Sequence, residues 1–325
     1  MKILVTGGAG YIGSHVVLDL LEADHDVIIL DDLSLGVELN IHSDAQFIFG
    51  STLDNEALKV CFRDQVDAVI HLAAFKAAGE SMTDPEKYSK NNISGTINLL
   101  NAMTDHGVHT FVFSSSAAVY GYPEYLPIDE DHPTDPINYY GFTKLVIESF
   151  LEWYGKLRGL KYVSLRYFNA AGYDPKGRIL GLEQNPANLL PIVMEVASGV
   201  RDKIEVFGDD YDTPDGTGVR DYIHVSDLAS AHLKALDYLQ SGDSIMVNLA
   251  TGEGSSVLDV IEKAREITGH SIPYEITARR EGDPAKLIAS SESAGELLDW
   301  KPKLSDLESL LKTTWRVYSA KKEIN

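Results

Sequence analysis

The segment KILVTGGAGYIGSH, residues 2–15, joins a short apolar run to a glycine-rich turn and then to the start of a helix-like stretch. Lys2 to Thr6 is apolar at consecutive positions, as a strand buried on both faces must be. Gly7, Gly10 and Gly13 follow with the spacing G-x-x-G-x-x-G. Glycine there permits a tight turn, lets the backbone approach a pyrophosphate and leaves a helix N-terminus facing that charge. Such a turn alone is weak evidence. A second apolar run, DVIIL (26–30), ends at Asp31, 18 residues beyond Gly13. A carboxylate at that place accepts hydrogen bonds from an adenosine ribose and repels a 2′-phosphate; neighbouring Asp32 adds to the repulsion, so NAD is expected rather than NADP.

The pattern continues outward from this unit. Strand-like runs recur at Gln46–Gly50, Asp67–Ala73, Thr110–Ser115 and Lys161–Phe168, separated by helix-like runs at Ile12–Glu22, Asn55–Arg63, Pro85–His106 and Tyr139–Gly159. This alternation predicts an α/β fold, a Rossmann-type doubly wound parallel sheet with right-handed crossovers. From about Gly172 the chain becomes rich in Gly, Pro, Asp and Asn, which predicts a smaller, loop-rich, mixed α/β C-terminal domain. Residues 221–240 read as a turn and helix, and Ser244–Thr251 as a strand able to return to the first sheet. Helices near Val257–Thr268 and Ser305–Val317 follow. The expected division is 1–171 with 221–252 as one domain, and 172–220 with 253–325 as the other.

A chain of 325 residues, 44% of them hydrophobic, can fill a substantial core. Its formal charge of -21 opposes nucleic acid and anionic membranes, while leaving room for a few internal arginines that bind a small anion. No apolar run is long enough to span a membrane and the N-terminus leads directly into a strand, so a cytoplasmic protein is expected. The single cysteine, Cys61, sits in the apolar phase of a helix-like run and reads as buried and structural. The histidines are scattered and no metal site is expected.

The fifth strand-like run ends in SSSAAVYG (114–121), and 24 residues after Ser116 comes Tyr140, with Lys144 four positions on. On a helix those two share a face. An ammonium beside a phenol, together with a cationic nicotinamide, stabilises phenolate and brings a group of reference pKa about 10 towards neutrality. Tyr140 then serves as base and acid at a carbinol, with Ser116 hydrogen-bonding the same oxygen. Tyr139 lacks the lysine. By itself the Tyr140–Lys144 pair is also compatible with an ordinary amphipathic helix.

The runs TGGAGYIGSH (6–15), SSSAAVYG, Tyr140-x-x-x-Lys144, LRYFNAAG (165–172), GTGVRDYIHV (216–225) and RREGDPAKL (279–287) resemble, in this order, the NAD-dependent epimerase/dehydratase family of the extended short-chain dehydrogenases, and within it the UDP-glucose (UDP-galactose) 4-epimerases. The resemblance spans nearly the whole chain, and its last two motifs are the most specific. It implies an enzyme that inverts C4 of a UDP-hexose through a 4-keto sugar and transient NADH, an active site between the domains, and pairing as a homodimer. Ser116, Tyr140 and Lys144 would be catalytic. The cofactor would lie on Gly7, Gly10, Tyr11, Ile12, Gly13, Asp31, Asp32, Ser51, Thr52, His71, Ala73, Lys76, Asn92, Ser114 and Phe168, together with Tyr140 and Lys144. The UDP-sugar would meet Lys76, Ser116, Tyr140, Asn169, Asn188, Leu189, Arg220, Tyr222, Arg280, Asp283 and Leu287, with Arg220 and Arg280 on phosphate oxygens. Either arginine alone reads equally well as a surface ion-pair residue.

Two positions depart from the family pattern. In FGSTLD (49–54), Ser51 and Thr52 stand where many relatives carry the carboxylate that meets adenine. Ala118 replaces a common threonine near the reacting oxygen. A 4,6-dehydratase would carry an Asp-Glu pair after Ser116, where this chain has Ala117 and Ala118. A UDP-glucuronate epimerase would need a pocket for a C6 carboxylate, and a catalytically silent NAD-binding sensor should have lost Tyr140 or Lys144. In the family, the residue at Leu287 influences room for a 2-acetamido group; leucine is intermediate in size, so acceptance of UDP-GlcNAc and UDP-GalNAc is left open.

Overall fold

The computed structural model describes residues 1–183, 186, 188–280 and 282–322; Glu281 of the RREGD run lies outside them. The first half is built from β1 (Lys2–Thr6), α1 (Tyr11–Glu22), β2 (Asp26–Asp31), β3 (Gln46–Phe49), α2 (Asn55–Cys61), β4 (Ala68–His71), α3 (Ala78–Ser81), α4 (Pro85–Tyr88), α5 (Gly95–Asp105), β5 (Thr110–Ser114), α6 (Tyr139–Arg158) and β6 (Lys161–Tyr167). Beyond it lie β7 (Asn169–Ala171), α7 (Leu189–Ser198), β8 (Ile204–Phe207), β9 (Val219–Arg220), β10 (Tyr222–His224), α8 (Val225–Leu239) and β11 (Ile245–Leu249). The chain closes with β12 (Ser255–Ser256), α9 (Val257–Thr268), β13 (Tyr274–Thr277), β14 (Lys286–Leu287), α10 (Glu292–Leu298) and α11 (Leu307–Lys322).

Seven parallel strands form one sheet in the order β11-β6-β5-β4-β1-β2-β3. Consecutive apolar residues leave both faces needing cover, and each face has its own core. Val5, Ile29, Ile70 and Leu165 pack with Val16 of α1 and Leu236 of α8; Leu4, Ile28, Val69 and Phe113 pack with Leu99 of α5 and Leu151 of α6. Cys61 is fully buried in the second core, and burial pushes its thiol up to about 12. The order of strands reverses at β1, which has β4 on one side and β2 on the other. That reversal opens a crevice at their carboxyl ends.

Two elements differ from the reading of the sequence. The expected helix over 85–106 is interrupted by a wider, π-type stretch at Ser89–Ser94 between α4 and α5. There the buried Asn92 amide donates to the Phe75 carbonyl (3.0 Å) while its carbonyl accepts from the Phe75 N–H (2.9 Å), a tertiary contact that re-aims the side chain through a local change of helical pitch. The expected turn before α8 contains β10, which pairs in parallel with β7 and sets Tyr222 opposite Asn169.

The smaller lobe has a separate core, including Leu190 and Val193 of α7, Ile261 of α9 and Leu310 of α11. The chain crosses back from it, since β11 pairs with β6 and α8 packs on the sheet. No helix among the described residues is long and apolar enough to cross a membrane.

Candidate active site

The turn after β1 is shaped for close approach. Gly7 adopts φ +75°, and a Cβ there would lie 2.7 Å from the Ala73 nitrogen; one on Gly13 would fall 2.0 Å from the Gly7 carbonyl oxygen. Only glycine leaves this cradle open. A cavity of 110 Å³ beside it is lined by Gly7, Gly10, Asp31, Asp32, Ser51, Thr52 and Ala73, and also by Asn91. Asp31 accepts from the N–H groups of Ala9 (3.0 Å) and Leu33 (2.9 Å). Burial raises its carboxyl pKa, and those two bonds act in the opposite direction. Ser51 Oγ accepts from the Leu53 N–H. The glycine cradle and the held carboxylate fit a dinucleotide.

A second cavity, 300 Å³, continues from the same glycines along Tyr11, Ile12, Lys76, Ser114, Tyr140 and Lys144. Helix α6 sets the reactive pair in place. The Asn138 side chain caps its first turn by accepting from Gly141 N–H at 2.8 Å, and Tyr140 and Lys144 follow one turn apart on the buried side. Lys144 is 2% exposed; its Nζ donates to the Ser114 carbonyl at 2.6 Å and stands 5.8 Å from the Tyr140 ring centroid. Burial lowers its pKa to about 7, with Glu148 opposing. Ser116, half-buried just beyond β5, accepts from the Ala118 N–H at 3.2 Å and stands beside the Tyr140 phenol, whose burial it opposes. Tyr139 turns away, bonded to the Ser89 hydroxyl at 2.6 Å.

The expectation of a phenol near neutrality joins Lys144 to a cationic nicotinamide, and here the protein's own share of it is seen. Burial raises the Tyr140 pKa, and Ser116 is the group that counters it. Lys144 is itself desolvated and engaged by Ser114, so its charge acts on the phenol together with that of the cationic nicotinamide.

Three expected cofactor residues lie outside the cavity walls. His71 is enclosed beneath the crevice, with Nδ1 2.6 Å from Thr6 Oγ1 and Nε2 2.8 Å from Thr96 Oγ1, and burial lowers its pKa to about 3. Asn92 is spent on the Phe75 backbone. Phe168 packs on the cluster of Val119, Tyr120, Ile128, Ala250 and Ala289. Leu287 packs on that same cluster and borders none of the three cavities described here. Lys76 reaches across to Glu183, at 2.5 Å.

Seven of the expected substrate residues converge on a third cavity of 580 Å³: Asn169, Asn188, Leu189, Arg220, Tyr222, Arg280 and Asp283. The pairing of β9 with β14 and of β10 with β7 brings them there from four stretches of chain. Asn188 precedes α7 without a side-chain cap bond, so the N–H groups of that ten-residue helix are not capped by it. Arg220 pairs with Asp283 at 3.1 Å, and Arg280 lies 3.7 Å over the Phe207 ring. Arg279 instead faces outward, bonded to Asp210 at 2.6 Å and stacked 4.2 Å over Tyr211. Two guanidiniums and a helix N-terminus fit a diphosphate within an otherwise acidic molecule.

Reading the sequence missed Asn91, Glu183, Phe207 and Tyr211 as lining residues. Phe207 ends the apolar run IEVF just before the Gly208–Asp212 loop, a signal that allows either core or cavity. The others carry no local signal. Among the described residues, no three His, Cys, Asp or Glu side chains converge as a metal site.

Comparison with known proteins agrees with this arrangement. The model of the NAD dependent epimerase/dehydratase family matches residues 3–250. The chain is 50% identical to a UDP-glucose 4-epimerase of Streptococcus mutans serotype c over 98% of this chain and 97% of that one. It is similar to the crystal structure of UDP-glucose 4-epimerase from Brucella ovis in complex with NAD (TM-score 0.95, 42% identity, 98% of both chains). It also resembles a UDP-glucose 4-epimerase from Stenotrophomonas maltophila with bound NAD and formylated UDP-arabinopyranose (TM-score 0.96, 41% identity, 100% of both chains). With the glycine cradle, the buried Tyr140–Lys144 pair and these matches in agreement, the chain belongs to the NAD dependent epimerase/dehydratase family.

Proposed function

We propose that this chain is an NAD-dependent isomerase that interconverts UDP-glucose and UDP-galactose by inverting C4 of the hexose. The observation that carries the reading is a phenol, a hydroxyl and a buried amine gathered beside a dinucleotide groove, in a chain whose neighbouring cavity holds two arginines suited to a diphosphate. Gly7, Gly10, Gly13, Asp31 and the Tyr140–Lys144 pair would hold the cofactor. NAD, when bound, supplies a hydride acceptor and then donor, with a 4-keto hexose between the two transfers.

The protein's own residues manage protons and position. Tyr140 removes the C4 hydroxyl proton and later returns it. Ser116 steadies the reacting oxygen, and the charge of Lys144 stabilises phenolate. Arg220, Arg280 and the α7 N-terminus hold the diphosphate, while a hexose held less firmly can present its other face. Since no net oxidation occurs, the cofactor is retained rather than exchanged.

Incubation of purified protein with UDP-galactose, without added NAD, tests this reading by chromatography of the sugar nucleotides. The expected result is UDP-glucose approaching equilibrium. No conversion by folded, NAD-loaded protein overturns it and moves the weight to another sugar nucleotide or to a silent sensor. We further propose that two copies pair through α6, supported by its exposed Phe142, Trp153 and Leu157; sedimentation would report a dimer. Admission of UDP-GlcNAc is tested by offering that sugar nucleotide in the same conversion assay.

A further inference from the structure

The ion pair of Glu148 and Arg166 borders none of the three cavities, yet it grips both ends of the turn that carries Ser116. Helix α6 presents Tyr140, Lys144 and Glu148 at four-residue intervals, along one face. Lys144 Nζ donates to the Ser114 carbonyl at 2.6 Å, and one turn further on Glu148 Oε1 accepts from Ser115 Oγ at 2.7 Å. Those two residues lead directly into Ser116. Beyond it a single helical turn, Ala117–Val119, brings the chain to Tyr120. Arg166 of β6 donates from Nε and Nη2 to the two Glu148 oxygens, at 2.9 and 2.6 Å, and from Nη1 to the Tyr120 hydroxyl at 3.0 Å. That hydroxyl donates in turn to Asn248 Oδ1 of β11 at 2.7 Å. Ser115, Tyr120, Glu148, Arg166 and Asn248 are all buried. The turn also rests on α6 itself: a Cβ on Gly141, the residue after Tyr140, would strike the Ala118 carbonyl oxygen.

We propose that Glu148 and Arg166 are positioning residues for the reaction, holding the turn through Ser115 at one end and Tyr120 at the other so that the Ser116 hydroxyl is kept beside the Tyr140 phenol. The inference rests on the UDP-sugar reading above, in which Ser116 steadies the reacting oxygen. Withdrawing two charges from water is costly, and a packed apolar pair of similar volume is often as stable, so stability alone does not account for this pair. What an apolar pair lacks is direction. The guanidinium fork and the carboxylate have fixed N–H and lone-pair vectors, which set both ends of the turn relative to α6 and β6. Inside the turn Ser116 Oγ accepts from the Ala118 N–H at 3.2 Å, so the hydroxyl follows the backbone that the pair holds.

The test removes one hydroxyl at each end and leaves the ion pair in place. Ser115→Ala and Tyr120→Phe should each lower kcat for UDP-galactose about tenfold, part of the loss that a displacement of about 1 Å brings. UDP affinity by titration calorimetry should stay within about twofold, because neither hydroxyl meets the nucleotide cavity and the loss falls on the chemical step. In a Ser116→Ala background either change should cost less than about twofold, since effects that pass through one hydroxyl do not add. Glu148→Met with Arg166→Met is the third arm: it should unfold in urea near wild type while its kcat falls by about tenfold or more. Wild-type kcat in both single variants, or losses that persist in full in the Ser116→Ala background, would make the pair purely structural and overturn the proposal. So would a stable double methionine variant with unchanged kcat. A folded, NAD-loaded wild type that converts no UDP-galactose would instead overturn the reading on which the proposal rests.

Discussion

Lys144→Met separates what the buried amine contributes to chemistry from what it does to stability. Its ammonium lies 5.8 Å from the Tyr140 ring centroid. At an effective dielectric constant of about 20, a unit charge at that distance favours phenolate by about 3 kcal/mol, which is about two pKa units or 100-fold in rate. The variant's kcat for UDP-galactose should therefore fall by about two orders of magnitude. Stability should move the other way. Folding lowers the lysine pKa from 10.5 to about 7. Because the folded value is depressed, the unfolded chain binds the extra proton between those limits, and the penalty is full below pH 7 and relieved as pH rises towards 10.5. A shift of that size corresponds to about 5 kcal/mol, reduced to roughly 2–4 kcal/mol by loss of the bond to the Ser114 carbonyl. Urea unfolding of cofactor-stripped protein should thus find the variant more stable than wild type at pH 6, by a margin that narrows towards pH 9.5. A kcat within threefold of wild type, or a stability difference independent of pH, would refute the reasoning.

Tyr140→Phe should lower kcat by about 10²–10⁴-fold, the usual worth of a positioned acid and base, while UDP affinity by calorimetry stays near wild type. Gly13→Ala places a methyl group 2.0 Å from the Gly7 carbonyl oxygen; the turn must open, and nucleotide released from the denatured protein should drop from near stoichiometric to background. Glu148 and Arg166 form an ion pair with both side chains 4% exposed, linked to Ser115 and Tyr120. Glu148→Ala strands a buried guanidinium and should cost about 3–5 kcal/mol in urea unfolding, most of it recovered when Arg166→Met is added to Glu148→Met. A loss below about 1 kcal/mol for Glu148→Ala would show that solvent reaches the pair.

The amino-acid sequence determined the parallel sheet, the glycine turn, the nucleotide preference at Asp31 and the pairing of Tyr140 with Lys144. Each of these follows from patterns local along the chain: the face a strand residue takes, the conformation a glycine permits, the 3.6-residue pitch that aligns positions four apart. Even the convergence of Arg220, Arg280 and Asp283 was anticipated through the order of motifs rather than through periodicity. Tertiary structure decided the rest. The break between α4 and α5 arises because Asn92 serves the Phe75 backbone, 17 residues away. His71, expected beside the cofactor, has both ring nitrogens bonded to threonines from β1 and α5. The Tyr140 pKa is raised because burial outweighs the opposing effect of Ser116, 24 residues back in the chain. Tyr211 and Glu183 join cavity walls through loops that carry no periodic signal. Conformational preference is a property of a few consecutive residues, whereas desolvation, charge pairing and the filling of a cavity depend on atoms brought near only when distant segments pack.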